Sequence, residues 1–155
     1  MKNTKSGFTL VELLLVIGII ATLAVVVFVA LDPAKRFADA RDARRTSDVE
    51  TILSAVHQYV IDSKGSFPAG IDNAERQIAT ATDTCGVSGG GCGDGGETGC
   101  VDLSGQLAKY LKEIPYDPTA GIGPDHSHYT IVKDDNGIVT VRACDAEGGV
   151  ISVSR

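Results

Sequence analysis

The sequence predicts an α+β protein. One long N-terminal helix, apolar in its first half and amphipathic in its second, covers a small antiparallel sheet, with a Gly/Cys-rich loop between them. Three features of the 155-residue chain lead to this reading. Residues 8–31 are almost wholly apolar. Val49, Ile52, Leu53, Val56 and Val60 then recur at helical spacing. Near the C-terminus, apolar and polar residues alternate on both sides of an Asn-Gly turn.

The first helix is expected over about 8–63. Phe8–Leu31 would extend about 36 Å at 1.5 Å per residue, enough to cross a hydrocarbon layer of about 30 Å with tilt. Lys2 and Lys5 precede this run and favour a cytoplasmic N-terminus, with the rest of the chain outside. A secretory signal has a shorter apolar core followed by a small-residue cleavage site. Here the best such site, Thr22-Leu23-Ala24, lies inside the apolar run. One residue is out of place. Glu12 sits among aliphatics, where an acidic side chain at a span's centre costs about 2.5–3.5 kcal/mol.

Asp32-Pro33 can kink or restart the helix, because Pro lacks an N–H and is tolerated in a first turn. Beyond it the helix is amphipathic, with Lys35–Asp39 and Arg44–Asp48 as opposite charges four apart, and it stops near Gly65 and Pro68. Arg41, Arg44 and Arg45 alternate with Asp39, Asp42 and Asp48, which reads as a solvated face.

Residues 66–102 read as irregular. Asp83–Cys100 carries eight glycines in 18 residues, a linker composition were it not for its cysteines. Leu103, Leu107 and Leu111 suit a short helix ending before Pro115. Three antiparallel strands follow: one near Tyr129–Lys133, its return through Ile138–Val141 after Asp-Asp-Asn-Gly, and a third at Val150–Val153.

Charge and composition exclude some functions. The net charge is −6, and residues 65–155 hold thirteen acidic against six basic side chains, so a nucleic-acid surface is not expected. No GxSxG, HExxH or Walker pattern occurs, so an enzyme is not expected either. His126 and His128 could share a strand face as half of a metal site, but a polar loop entering a strand carries more weight. His57 reads as a packing residue. Asp94, Glu97 and Asp102 offer carboxylates to calcium, yet read as a flexible acidic loop. No metal or cofactor is assigned. Cys85, Cys92, Cys100 and Cys144 are an even set without a zinc spacing, and downstream of a membrane segment they suggest two disulfides. Cys85–Cys92 with Cys100–Cys144 is the favoured pairing; Cys85–Cys100 with Cys92–Cys144 is its rival.

The stretch KSGFTLVELLLVIGIIATLA, Lys5–Ala24, resembles the class III signal of type IV pilins and type II secretion pseudopilins. The resemblance implies a pilin-like fold and a division of the chain into a 1–7 leader, an 8–31 membrane and filament-core helix, a 32–64 amphipathic continuation and a 65–155 extracytoplasmic head. It implies cleavage between Gly7 and Phe8 by prepilin peptidase, N-methylation of Phe8, and use of Glu12 with the Phe8 amine in assembly. The implied partners are further copies of the chain or other pilins, the peptidase, the inner-membrane assembly machinery and the membrane. The implied location is the bacterial inner membrane, then an extracellular or periplasmic filament. The implied role is a type IV pilus subunit serving adhesion, twitching or DNA uptake. The alternative is a type II secretion pseudopilin, towards which Tyr110–Pro118, YLKEIPYDP, leans. From another class, the chain would be a membrane-anchored binding domain or enzyme that never polymerises.

Overall fold

The structure is a computed structural model that describes residues 7–80, 99–119 and 121–155. The described chain falls into two compact units, one ending at Phe37 and the other running from Ala38 to Arg155.

In the N-terminal unit, helix α1 spans Leu10–Leu31 and α2 starts at Pro33, continuing into the second unit to Asp62. The continuous helix expected over 8–63 is therefore interrupted. Asp32 takes the left-handed conformation, φ 39°, and ends α1. Pro33 has no N–H to extend the α1 ladder but suits a first helical turn, so the chain restarts there, with the Arg36 amide donating to the Asp32 carbonyl at 3.2 Å.

In the second unit, α2 buries Arg45, Val49, Ile52, Leu53, Ala55 and Val56. The helix closes with Lys64 at φ 56° and the Gly65 amide on the Val60 carbonyl at 2.8 Å, a left-handed C-terminal cap. The apolar stripe meets a five-stranded sheet formed by β1 Arg76–Ile78, β2 Cys100–Val101, β3 Tyr129–Lys133, β4 Val139–Ala143 and β5 Ile151–Ser154, in the order β2-β1-β3-β4-β5. Ile78, Tyr129, Ile131, Val139 and Val141 join the stripe in one core, with Leu103 and Leu107 from the short helix α3, Ser104–Leu107.

The three expected strands are present as β3, β4 and β5, paired antiparallel. The sheet is nevertheless mixed. β1 and β2 arise from the segment expected to be irregular, and they pair parallel to each other, with β1 antiparallel to β3. They are three and two residues long, too short to carry an alternation signal. The β3–β4 turn also differs in detail. Of its residues only Gly137 has positive φ, 85°, and its amide donates to the Asp134 carbonyl at 3.0 Å. The Asp134 carboxylate takes the Asn136 and Ile138 amides at 2.9 and 2.7 Å, so Asp134 as well as the Asn-Gly pair fixes the turn.

Candidate functional site

At the N-terminal segment, Phe8 is 80% exposed and Gly7 has open space where a Cβ would be. Thr9 caps α1 with extended backbone, and its hydroxyl accepts from the Glu12 amide at 3.3 Å. In return Glu12 Oε2 accepts from the Thr9 amide and from its hydroxyl, each at 2.9 Å. This is a reciprocal capping box, which satisfies amides that a helix start leaves without partners. The tetrad Thr-x-x-Glu before an apolar run is visible in the sequence and carries this second role for Glu12. The carboxylate thus fixes where the helix begins, four residues from Phe8. It also lies about 11 Å from the midpoint of Phe8–Leu31, away from the costliest depth of a span.

No residue of α1 is buried. Its aliphatic and aromatic side chains stand exposed all round, from Leu10 at 73% to Val29 at 74%. By length and composition the helix can cross a bilayer. Thr22 is accommodated by donating to the Ile19 carbonyl at 2.8 Å.

In the second unit the arginine triplet corrects the solvated-face expectation. Arg44 behaves as expected, exposed and 3.6 Å from Asp48. Arg45 is 1% exposed and grips the fully buried Asp117 through two bonds, Nε to Oδ2 at 2.6 Å and Nη2 to Oδ1 at 3.0 Å. Its remaining bonds reach Asp42 at 2.7 Å, Glu147 at 3.0 Å and Thr119 at 3.0 Å. Arg41 adds a bond to Glu147 at 2.6 Å, and Asp42 takes the Glu147 and Gly148 amides at 3.0 and 2.6 Å. Burial alone would raise the carboxyls of Asp42 and Asp117, but the bonds they accept outweigh it and hold both below the ordinary range. Bonds from Arg41 and Arg45 bring Glu147 down to about 2. The Tyr129 hydroxyl, on Asp48 at 2.9 Å, is pushed up by burial.

This cluster ties α2 to the 117–119 loop and to the 145–148 turn. Its charges saturate one another, which is the chemistry of a staple. An open cavity of about 800 Å³ beside it is lined by Arg41, Arg45, Thr119, His128, Asp145 and Glu147. His128, at φ 59°, bonds Asp145 through Nδ1 at 2.6 Å. Among the described residues no group of three or more His, Cys, Asp or Glu side chains is arranged to hold a metal ion. His57 is half-buried, with Nε2 lacking a partner. Asp102 accepts a hydrogen bond from the Ser104 amide at 2.8 Å; Asp94 and Glu97 lie outside the described residues.

Residues 2–28 match the family model of the prokaryotic N-terminal methylation motif. The chain carries a class III prepilin signal. That signal marks type IV pilins and pseudopilins, a structural rather than enzymatic family, and implies processing by prepilin peptidase and assembly into pilin filaments. The prepilin signal and the α+β architecture, a long interrupted N-terminal helix with a small mixed sheet, agree with a pilin-like fold. No curated protein and no solved structure shows a significant match to the chain.

In the second unit, called the head from here on, Cys100 and Cys144 are both disulfide-bonded, while Cys85 and Cys92 lie outside the described residues. The sheet order speaks against the expected Cys100–Cys144 bridge. Cys100 is level with Gln77, Gln77 with Thr130, and Thr130 with Arg142, two residues before Cys144. Three strand spacings are about 14 Å, against a Cα separation of about 4.4–6.8 Å in a disulfide.

Proposed function

We propose that the chain is a structural subunit of a type IV pilus filament, anchored in the inner membrane by α1, cut between Gly7 and Phe8, methylated on Phe8 and polymerised through α1. One observation carries the proposal: a methylation signal leads into a 22-residue apolar helix of which no residue is buried. That surface needs lipid in the monomer and neighbouring helices in a filament. Cleavage would create a cationic amine at Phe8. In an apolar bundle this amine and the Glu12 carboxylate of a neighbour penalise misregister strongly, since either charge alone is costly there. Glu12 would exchange its bonds to Thr9 for that partner.

A type II secretion pseudopilin is the second reading. The resemblance of Tyr110–Pro118 leans towards it, and Asp117 of this segment is the buried partner of Arg45. Filaments sheared from the cell surface separate the two: a pilus subunit is recovered there, a pseudopilin stays with the envelope. For the head, the proposed crosslinks join Cys100 and Cys144 each to one of Cys85 and Cys92; non-reducing peptide mapping checks this.

The test of polymerisation is Glu12→Val. The variant should reach wild-type levels in the membrane and give no filaments. Filaments at wild-type yield would overturn the role of Glu12 in register, and a wild-type chain that gives no filaments at all would make a membrane-anchored domain that never polymerises the better account.

A further inference from the structure

Five basic side chains lie between Asp32 and Asp48. Three are matched by carboxylates: Arg41 by Glu147, Arg44 by Asp48 and Arg45 by Asp117. Lys35 and Arg36 have no ion-pair partner among the described residues. The sequence offers Asp39 four residues after Lys35, yet no ion pair forms between them. Asp32 turns its carboxylate towards the Lys35 amide, at 3.5 Å, rather than its ammonium. Both basic side chains are exposed, and Phe37 beside them is 67% exposed. All three belong to the same compact unit as α1.

Their depth follows from helix geometry. The 22 residues of α1 extend about 33 Å, so a hydrocarbon layer of about 30 Å ends near Leu31. Lys35 to Phe37 come four to six residues later, about 6–9 Å beyond, where a headgroup layer about 5–8 Å thick lies on each side of the core. Two unpaired cations next to an exposed aromatic are the residue types that settle at such a boundary. The charges reach the phosphates and the ring lies at the edge of the acyl chains.

We propose that Lys35, Arg36 and Phe37 form an interfacial foot that binds anionic phospholipid headgroups on the side of the membrane facing the head. The inference rests on membrane anchoring by α1. The foot sets the depth of the waiting subunit and releases when the subunit is withdrawn into a filament. The attraction is weak enough to be reversible. Each basic side chain near an anionic surface contributes about a fivefold preference at low salt, and salt screens it.

The chain contains no tryptophan, so a single Phe37→Trp reports on this site alone. The full-length variant is reconstituted in vesicles of phosphatidylcholine with or without phosphatidylglycerol. The expected result is a blue-shifted emission and weaker acrylamide quenching with phosphatidylglycerol. Both changes should be lost at 1 M salt, where the screening length is about 3 Å, or on adding Lys35→Gln and Arg36→Gln. Identical emission in both lipids, or a shift that survives loss of both charges, overturns the foot. Shielding that follows protein density rather than lipid charge also overturns it, since a second copy would then be the occupant. Val25→Trp in bilayers with brominated acyl chains is the separate control. Quenching there with no charge effect at position 37 refutes the foot alone; no quenching at position 25 refutes the anchor beneath it.

Discussion

Helix α1 and the inner stripe of α2 are built from the same aliphatic residues and end in opposite environments. Val49, Ile52 and Val56 are fully buried against the sheet, while Ile17, Ile20 and Val26 of α1 stay more than half exposed. The difference lies in what the chain supplies around them. Beyond α2 it supplies five strands that cover one side of a helix, so the other side could become charged. In α1 no residue is buried among the described residues, and nearly every side of that helix is apolar. A helix apolar all round belongs in a core or in a membrane. The stability of the head and the attachment of α1 are therefore separable, and substitutions can be chosen to affect one without the other.

The largest effect is expected at Arg45. Arg45→Met leaves Asp117 buried with only Thr119 as a side-chain partner and should destabilise the head by about 3–5 kcal/mol in denaturant unfolding. Adding Asp117→Leu should recover much of the loss, because the orphaned charge is removed. If the single variant unfolded like the wild type, the cluster would be ornament and not a staple.

A direct contrast between the regions comes from one chemical change made twice. Ile52→Ala should cost the head about 2–5 kcal/mol. Ile20→Ala, on a helix none of whose residues is buried, should leave head unfolding unchanged and act on membrane retention or filament stability. Equal losses in head stability would mean that the two regions are not independent.

Acid should loosen the same staple more gently. Asp42, Asp117 and Glu147 are all held below their ordinary values of 3.8–4.5 in the folded head, so they bind fewer protons than in the unfolded chain. Their contribution is complete above that range and is lost as the pH falls through it towards 2. The melting temperature of the head should decline over this window, and Arg45→Met with Asp117→Leu should flatten the decline. At the small end, Gly137→Ala places a side chain at φ 85° in the β3–β4 turn and should cost about 1–2 kcal/mol with no effect on anchoring.

What the sequence disclosed follows the range of the interactions involved. The N-terminal signal, the α2 stripe and the β3–β4–β5 meander are local patterns, visible in windows of a few residues. β1 and β2 are too short for a period, and their pairing depends on partners far along the chain. Arg45 escapes a local reading for a similar reason. Its neighbours on α2 look like a solvated charge pattern, and the carboxylate that draws it inside is Asp117, 72 positions later. The only local hint is an acid between Pro115 and Pro118. The capping role of Glu12 is legible in Thr9-x-x-Glu12 but is overshadowed by the question of its charge. For the cysteines, sequence spacing says nothing about how many strands lie between two positions, and the sheet order corrects the favoured pairing.

If α1 anchors the subunit first and builds a filament afterwards, processing at Gly7–Phe8 falls between the two states. The most direct test is intact-mass and N-terminal peptide analysis of the chain recovered from purified filaments. The expected chain begins at N-methylated Phe8. Filaments built from chains that still begin at Met1, or a chain found only in membranes with its leader intact, would contradict it.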